Sequence, residues 1–158
     1  MKKLLLISIS ILLLVPIKAQ QKDYLRVPVE KAIIDGEDYS EYYKSVGGFI
    51  SFYQSKIGYF CMANVMPAKD TQSYGEISER NQKSGIDVLT GDTIYILDFR
   101  WDYENNYDDK SGSAKCHMVL SPSKTGYVYS LEMIIDEGMV FRYSGRNIES
   151  ISTLLENW

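Results

Sequence analysis

The segment from Asp98 to His117 is the densest group of side chains in this sequence that can do chemistry. Aromatic and charged residues alternate at its start, an acidic tip rich in asparagine follows, and Cys116 precedes the single histidine of the chain. Such groups serve four kinds of structure: a calcium loop, the edge of a catalytic cleft, a surface that binds a sugar or a protein, and a solvated hairpin turn.

A calcium loop is the first chemistry that these residues suggest. Side chains with oxygen atoms occur at alternate positions, as calcium ligands do: Asp102, Glu104, Asn106 and Asp108. However, Tyr107 occupies the position where an EF-hand requires glycine, and Ser113 occupies the position where it requires glutamate. One histidine and no Cys-x-x-Cys pair leave zinc without a ligand set. We therefore predict no metal, no cofactor and a solvated turn.

Catalysis has little support from the same residues. Cys116 and His117 are neighbours in a predicted strand, so their side chains point to opposite faces and cannot form a nucleophilic dyad. Asp98 and Asp102 share a face, but they are separated by about 13 Å along the strand. That separation exceeds the about 6.5–9.5 Å between the carboxylates of inverting glycosidases. A small secreted hydrolase that combines residues 66–91 with His117 or Asp98 is the alternative to a non-enzymatic protein.

Binding is the function that the remaining side chains favour. Aromatic rings beside amide and carboxylate groups can stack on, and hydrogen-bond to, a sugar or a protein loop. The predicted ligand-binding or partner-binding residues lie at or near the acidic tip: Trp101, Tyr103, Asn106, Tyr107, Asp108 and Asp109. In the alternative interpretation, Trp101 and Tyr103 only close the end of the core.

Hydrophobic periodicity predicts the elements that position these side chains. From Thr93 onward, apolar and polar residues alternate with the period of two that is typical of strands with one buried face. Asn147 can cap a C-terminal helix, whose apolar residues follow at helical spacing: Ile148, Ile151, Leu155 and Trp158. The predicted fold is mainly β, an antiparallel meander that forms an up-and-down barrel of about six to eight strands or a strongly curved sheet, with a C-terminal α-helix.

Strand register follows from the apolar sets, because a slip of one residue turns the wrong side chains to the core. The predicted opposite pairs are Trp101 with Cys116, Leu120 with Tyr127, and Met133 with Phe141. On the other face, the same register predicts a row of charges with alternating sign: Asp102, Lys115, Glu132 and Arg142. Cross-strand ion pairs contribute about 0.2–1 kcal/mol each, and they account for these charges without any chemistry.

The first half of the chain has weaker patterns. Residues 23–34, 49–53 and 57–65 are predicted to be extended, and residues 37–44 contain tyrosines at helical spacing. Residues 66–91 are polar and have no sustained period, so we predict that they form a functional loop or contain a short helix. A helix in that segment would make the fold α+β.

The start of the chain has the organisation of a bacterial signal peptide. A basic beginning precedes an apolar run, Leu4 to Val15, and Ala19 stands where a signal peptidase cleaves. The apolar run is shorter than the about 20 residues that span a membrane. We predict that residues 1–19 are removed and that residues 20–158 form one exported, β-rich domain in a periplasm or outside the cell. The alternative is an uncleaved N-terminal anchor.

Charge and cysteine content restrict the partners of the mature protein. Without Lys2, Lys3 and Lys18 of the signal peptide, 14 basic residues face 21 acidic ones, a net charge of about −7. This charge repels nucleic-acid phosphates and anionic lipid, and no second apolar run approaches the length of a membrane span. In an exported protein, Cys61 and Cys116 are predicted to form a disulfide bond, and the alternatives are two buried thiols or a reactive cysteine.

These observations together predict an exported, non-enzymatic binding or interaction protein. Its partner is predicted to be a small apolar molecule held within the sheet, or a protein or glycan held at the acidic hairpin. The hydrolase described above is the alternative hypothesis.

Overall fold

A computed structural model describes residues 22–158, so the predicted signal peptide lies outside the described residues. In this range the strands are β1 (Lys22–Pro28), β2 (Lys31–Ile34), β3 (Glu37–Asp38), β4 (Phe49–Gln54), β5 (Phe60–Met66), β6 (Thr71–Ile86), β7 (Thr93–Asn105), β8 (Ser111–Ser123), β9 (Gly126–Ile135) and β10 (Val140–Ile148). The helices are α1 (Ser40–Ser45) and α2 (Ser152–Asn157). All ten strands form one antiparallel, curled half-barrel sheet in the order β1-β4-β5-β6-β7-β8-β9-β10-β2-β3. The predicted β fold with a strongly curved sheet is confirmed.

The first segment of the described chain contacts both edges of the curled sheet. β1 pairs with β4, whereas β2 pairs with β10. Between these strands, the Val29 N–H donates to the Gly48 carbonyl at 2.9 Å, and the Glu30 N–H donates to the Ser144 carbonyl at 2.9 Å. Residues 28–31 therefore cross the opening of the half-barrel and connect its two sides.

The predicted meander of the second half is confirmed as strands β7 to β10. The observed opposite pairs are Phe99 with Cys116, Leu120 with Tyr129, and Met133 with Phe141. The third pair is confirmed, and the first two predicted pairs are wrong by two residues. A shift of two leaves every side chain on its predicted face, so the apolar pattern does not choose between these registers. The hydrogen bond from the Asn105 N–H to the Lys110 carbonyl closes the first turn and fixes its register.

Most of the polar segment 66–91 is a strand, so the predicted irregular loop is wrong, and the helical part of the segment is a single 3₁₀ turn. After one 3₁₀ turn, Pro67–Lys69, β6 runs for 16 residues. Its first part pairs with β5 on one side and β7 on the other. Beyond Glu76, the paired residues 77–78 and 81–86 have β7 as their partner strand alone within residues 22–158. A bulge near Glu79, whose φ is 50°, interrupts the ladder. Because residues 78–86 of β6 bury neither face, their sequence has no alternation.

Helix α2 closes one end of the half-barrel, and the predicted C-terminal helix is confirmed. The helix begins at Ser152 and not after Asn147. Asn147 belongs to β10, has a φ of 60° and does not cap the helix. After the helix, the Trp158 ring packs edge-to-face against three aromatic rings of the core: Phe52, Phe60 and Phe99. Neither helix of the described range is long and apolar enough to cross a membrane.

Helix α1 closes the opposite end with Tyr43. The Tyr43 hydroxyl lies 2.8 Å from the Tyr143 hydroxyl, and the Asn64 amide donates to both oxygens. Burial raises the pKa of both tyrosines, so both stay neutral and able to donate. Between the two ends, the inner face of the sheet is a continuous apolar core.

Candidate functional site

Trp101 and Tyr103 lie where β7 approaches the acidic tip. Trp101 is only 2% exposed, and its indole N–H donates to the Met62 carbonyl at 3.2 Å. The Tyr103 ring lies 4.9 Å from the Trp101 ring, and burial raises the pKa of Tyr103. Both side chains therefore pack at one end of the core, and their role in binding stays a prediction.

Asn106 attaches the acidic tip to the neighbouring 3₁₀ turn. Its side-chain amide donates to the Asp70 carbonyl at 3.0 Å and accepts from the Gln72 backbone N–H at 2.8 Å. The Asn106 backbone N–H in turn donates to the Gln72 carbonyl. These three bonds give the predicted ligand-binding amide a structural role.

The other predicted tip residues differ in whether their side chains form hydrogen bonds within the protein. Asp108 accepts hydrogen bonds from the Asn105 amide at 3.0 Å and the Lys110 backbone N–H at 3.1 Å. The bond from Asn105 is the main reason that the pKa of Asp108 lies below its usual value. Tyr107 is 54% exposed, and Asp109 is exposed with a left-handed φ of 55°. Of these three residues, Tyr107 and Asp109 form no side-chain hydrogen bond within residues 22–158.

The predicted disulfide between Cys61 and Cys116 is wrong, because both are free, buried thiols. Cys116 belongs to the core, as do Phe60 and Met62 on either side of Cys61. Since side chains alternate along a strand, Cys61 points to the outer face and the two sulfur atoms lie on opposite sides of the sheet. Burial raises the pKa of both thiols, which makes them poor nucleophiles.

The predicted row of charges exists on the outer face with two different members. Because the register differs by two residues, Lys115 lies opposite Arg100 on β7 and Ile134 on β9. The observed cross-strand row is Asp98, His117, Glu132 and Arg142. Asp102 is instead paired with Arg100 at 3.2 Å.

Close contacts connect the members of this row. His117 Nδ1 lies 2.7 Å from Asp98 Oδ1, and Lys83 Nζ lies 3.3 Å from Asp98 Oδ2. Arg142 Nε donates to Glu132 Oε2 at 2.7 Å. The hydrogen bond with His117 is the main cause that holds the pKa of Asp98 below its usual 3.8.

Two adjoining depressions on the outer face share His117 and Glu132 as lining residues. One has a volume of about 320 Å³ and extends over β7, and the other has a volume of about 410 Å³ and extends over β10 and β2. We call the joined depression the His117 groove. Its side chains include the charged row and five further residues: Lys31, Ile33, Lys115, Val119 and Ile134.

The His117 groove combines an apolar floor with free positive charge. Ile33, Val119 and Ile134 are aliphatic and lie among the charged groups. Within residues 22–158, neither Lys31 nor Lys115 has a carboxylate oxygen within 4 Å, whereas Arg142 is paired with Glu132. The groove therefore presents two ammonium groups that have no acidic partner in the described range, beside the exposed Glu79 carboxylate that also lines it.

The Asp98–His117 pair resembles the orienting half of a catalytic triad in its geometry, but a nucleophile is missing. Ser130 lines the same groove, yet among the described residues no hydroxyl or thiol forms a hydrogen bond with the imidazole. Cys116 is adjacent in sequence and lies on the other face of the sheet. Residues 22–158 also contain no group of three His, Cys, Asp or Glu side chains that could hold a metal ion.

Sequence reasoning found the acidic, histidine and arginine members of the groove but missed Lys31 and Ile33. These two lie on β2, which pairs with β10 far along the chain, and hairpin-by-hairpin matching gives no signal for such a contact.

Comparison of the chain with protein families, curated proteins and solved structures found no match.

Proposed function

We propose that this chain is an exported, non-enzymatic binding protein whose His117 groove holds a partner with an apolar body and an anionic group. The observation that carries the proposal is an aliphatic floor beside Lys31 and Lys115, which have no acidic partner in the described range. Burial of hydrocarbon on such a floor is favourable by about 25 cal/mol per Å². An ammonium group then fixes an anion by a charge-assisted hydrogen bond.

The packing of the core supports a site on the outer face. Phe52, Phe99 and Trp158 are in ring contact inside the sheet, and Tyr43 occupies the other end. A small apolar ligand within the sheet, as the sequence suggested, would have to displace these rings from a close-packed interior.

The acidic tip offers less to a protein or glycan partner than the groove does. The Asn106 amide and one oxygen of the Asp108 carboxylate already have hydrogen-bond partners inside the protein. Tyr107 and Asp109 are the tip residues that stay free, so they provide one ring and one carboxylate.

Octanoate is a suitable probe because it has an apolar chain and one carboxylate, and octanamide is its uncharged counterpart. In NMR titrations we expect octanoate to shift the amide signals around His117, Val119 and Lys115, and to bind more tightly than octanamide. The double variant Lys31→Gln/Lys115→Gln should weaken octanoate binding about tenfold or more, because a charge-assisted bond is lost. Lys124→Gln, on the turn between β8 and β9, is the matched control and should bind normally.

Equal affinity for octanoate and octanamide, or an unchanged affinity in the double variant, would contradict the proposal.

The Asp98–His117 pair supports the hydrolase as a second candidate, because the carboxylate orients the imidazole as a general base requires. Release of nitrophenol from p-nitrophenyl butyrate separates the two functions. A rate above the uncatalysed background that is lost in His117→Gln, with the fold intact, would favour the hydrolase.

A further inference from the structure

The second part of β6 has one side without a neighbouring strand. β5 begins at Phe60, level with the residue after Glu76, because Cys61 pairs with Glu76. Beyond that level, β6 continues to Ile86 and pairs only with β7. Within residues 22–158, the backbone groups on the other side of residues 81–86 therefore have no strand partner.

This open edge is long enough to accept another strand. At about 3.3 Å per residue, residues 81–86 extend over about 20 Å. In an antiparallel ladder each residue directs its N–H and C=O to one side, so alternate residues of β6 present both groups away from β7. A segment that paired here would lie in line with β5, beyond the β4–β5 turn.

The turn that follows this edge presents apolar side chains to solvent. Val88 is 94% exposed and Leu89 is 91% exposed. The turn is ordered, since one Asp87 carboxylate oxygen accepts from the Leu89 N–H at 2.8 Å and the Thr90 N–H at 3.3 Å. The Asp87 N–H also donates to the Asp92 carbonyl. An ordered turn holds the two aliphatic side chains out at little entropic cost on binding.

We propose that residues 81–86, together with Val88 and Leu89 of the following turn, form a docking edge that takes up an extended segment of another polypeptide. A row of free amide and carbonyl groups is matched by a peptide backbone, which adds to the sheet by strand addition. Val88 and Leu89 then pack against apolar side chains of that segment. This surface lies on different strands from the lysines of the His117 groove, so the inference does not depend on the proposed function.

Charge identifies the kind of segment that fits. Glu79, Asp87 and Asp92 are exposed around the edge, whereas Lys83 is already paired with Asp98 at 3.3 Å. The Arg80 guanidinium donates to the Asn157 carbonyl and lies over the Phe60 ring. A neutral or basic partner segment is therefore favoured over an acidic one. A second copy of this chain fits less well, because both mature copies carry the predicted net charge of about −7.

Register adds to the case against a second copy. When two identical edges pair around a twofold axis, the residues that direct their backbone N–H and C=O groups outward must lie opposite one another. In one of the two registers with most overlap, Lys83 faces Lys83, and like charges directly opposite are destabilising. We therefore commit to a different polypeptide, with apolar β-forming residues in its middle and basic residues at its ends.

The test uses the mature protein and a capped heptapeptide of alternating valine and threonine with a lysine at each end. Amide hydrogen exchange followed by NMR should show alternate amides of residues 81–86 exchanging fast in the free protein. The peptide should protect these amides, with a Kd of about 1 mM or tighter. A peptide of the same sequence with a methyl group on every backbone nitrogen lacks the required donors on both of its edges and should not protect them.

Two variants connect the protection to this surface. Val88→Asn/Leu89→Asn should weaken peptide binding several-fold and leave the melting temperature unchanged, because both side chains are exposed in the free protein. Met139→Asn, which changes an exposed apolar residue on the β9–β10 turn, should leave binding unchanged.

Three outcomes would overturn the inference. The first is that alternate amides of residues 81–86 are already protected in the free mature protein, or that the peptide leaves all of them unprotected. The second is equal protection by the N-methylated peptide. The third is concentration-dependent dimerisation, measured by sedimentation, that protects residues 81–86 without any peptide, since that result would assign the edge to a second copy of the chain.

Discussion

Asp98 lies between two basic side chains of the outer face. It faces His117 through one oxygen and Lys83 through the other, and these contacts hold its pKa below 3.8. A carboxyl whose pKa is lower in the folded state stabilises the fold above the unfolded pKa. That stabilisation is lost as the pH falls through the lowered value.

Asp98→Asn should therefore reduce the dependence of stability on acid. We expect the wild-type protein to lose stability between neutral pH and pH values at and below about 3.8, and the variant to lose less over the same range. The measurement is the midpoint of urea unfolding at a series of pH values. Asp109→Asn is the control, because asparagine also tolerates the left-handed conformation at that position. Parallel pH curves for wild type and Asp98→Asn would contradict the prediction.

At the scale of secondary structure, alternation predicted those strands that bury one face. β7 to β10 do so, and the predicted meander has the correct order and the correct faces. β5 buries both faces over Phe60 to Ala63, so its continuous apolar run does not show which of its side chains point to the core. For this reason the sequence did not reveal that Cys61 points away from the core.

The candidate site was only partly predictable for a related reason. A shift of two residues preserves the buried face, so apolar matching placed Asp102 and Lys115 in the charged row where Asp98 and His117 belong. The remaining side of the groove comes from β2, whose partner β10 lies far away in sequence. The polar segment β6 was missed because much of it buries neither face.

Helix α2 is too short to be stable alone, so the ring of Trp158 must hold the C-terminal segment against the sheet. Trp158→Ala should lower the free energy of unfolding by about 2–5 kcal/mol, because three aromatic contacts are lost. Trp158→Phe should cost much less, since the replacement keeps an aromatic ring and removes an indole N–H that is buried without a partner.

Urea unfolding monitored by far-UV circular dichroism measures these differences. Glu156→Ala, an exposed position on the same helix, is the control and should change stability by less than about 0.5 kcal/mol. If Trp158→Ala were as stable as this control, the ring would not close the half-barrel.

At the scale of the whole molecule, the two faces of the sheet differ in polarity. The inner face is apolar and filled from both ends by Tyr43 and Trp158. The outer face carries basic and acidic side chains around an aliphatic floor, and the edge of β6 carries free backbone groups. Recognition is therefore expected on the outside of this half-barrel and at its edge.

The export predicted from the sequence would bring this surface to partners outside the cytoplasm, and export is open to direct measurement. When the full-length chain is expressed in a bacterium, the exported protein should have the intact mass of residues 20–158, because cleavage follows Ala19. When the protein is denatured in the presence of iodoacetamide and without a reductant, its mass should increase by two alkyl labels, one on each thiol. The reason is that Cys61 and Cys116 are on opposite faces and unpaired. Leu12→Arg, which interrupts the apolar run, should leave the chain unprocessed. A full-length chain in the membrane fraction would instead indicate an uncleaved anchor, and a mass without labels would indicate a disulfide bond.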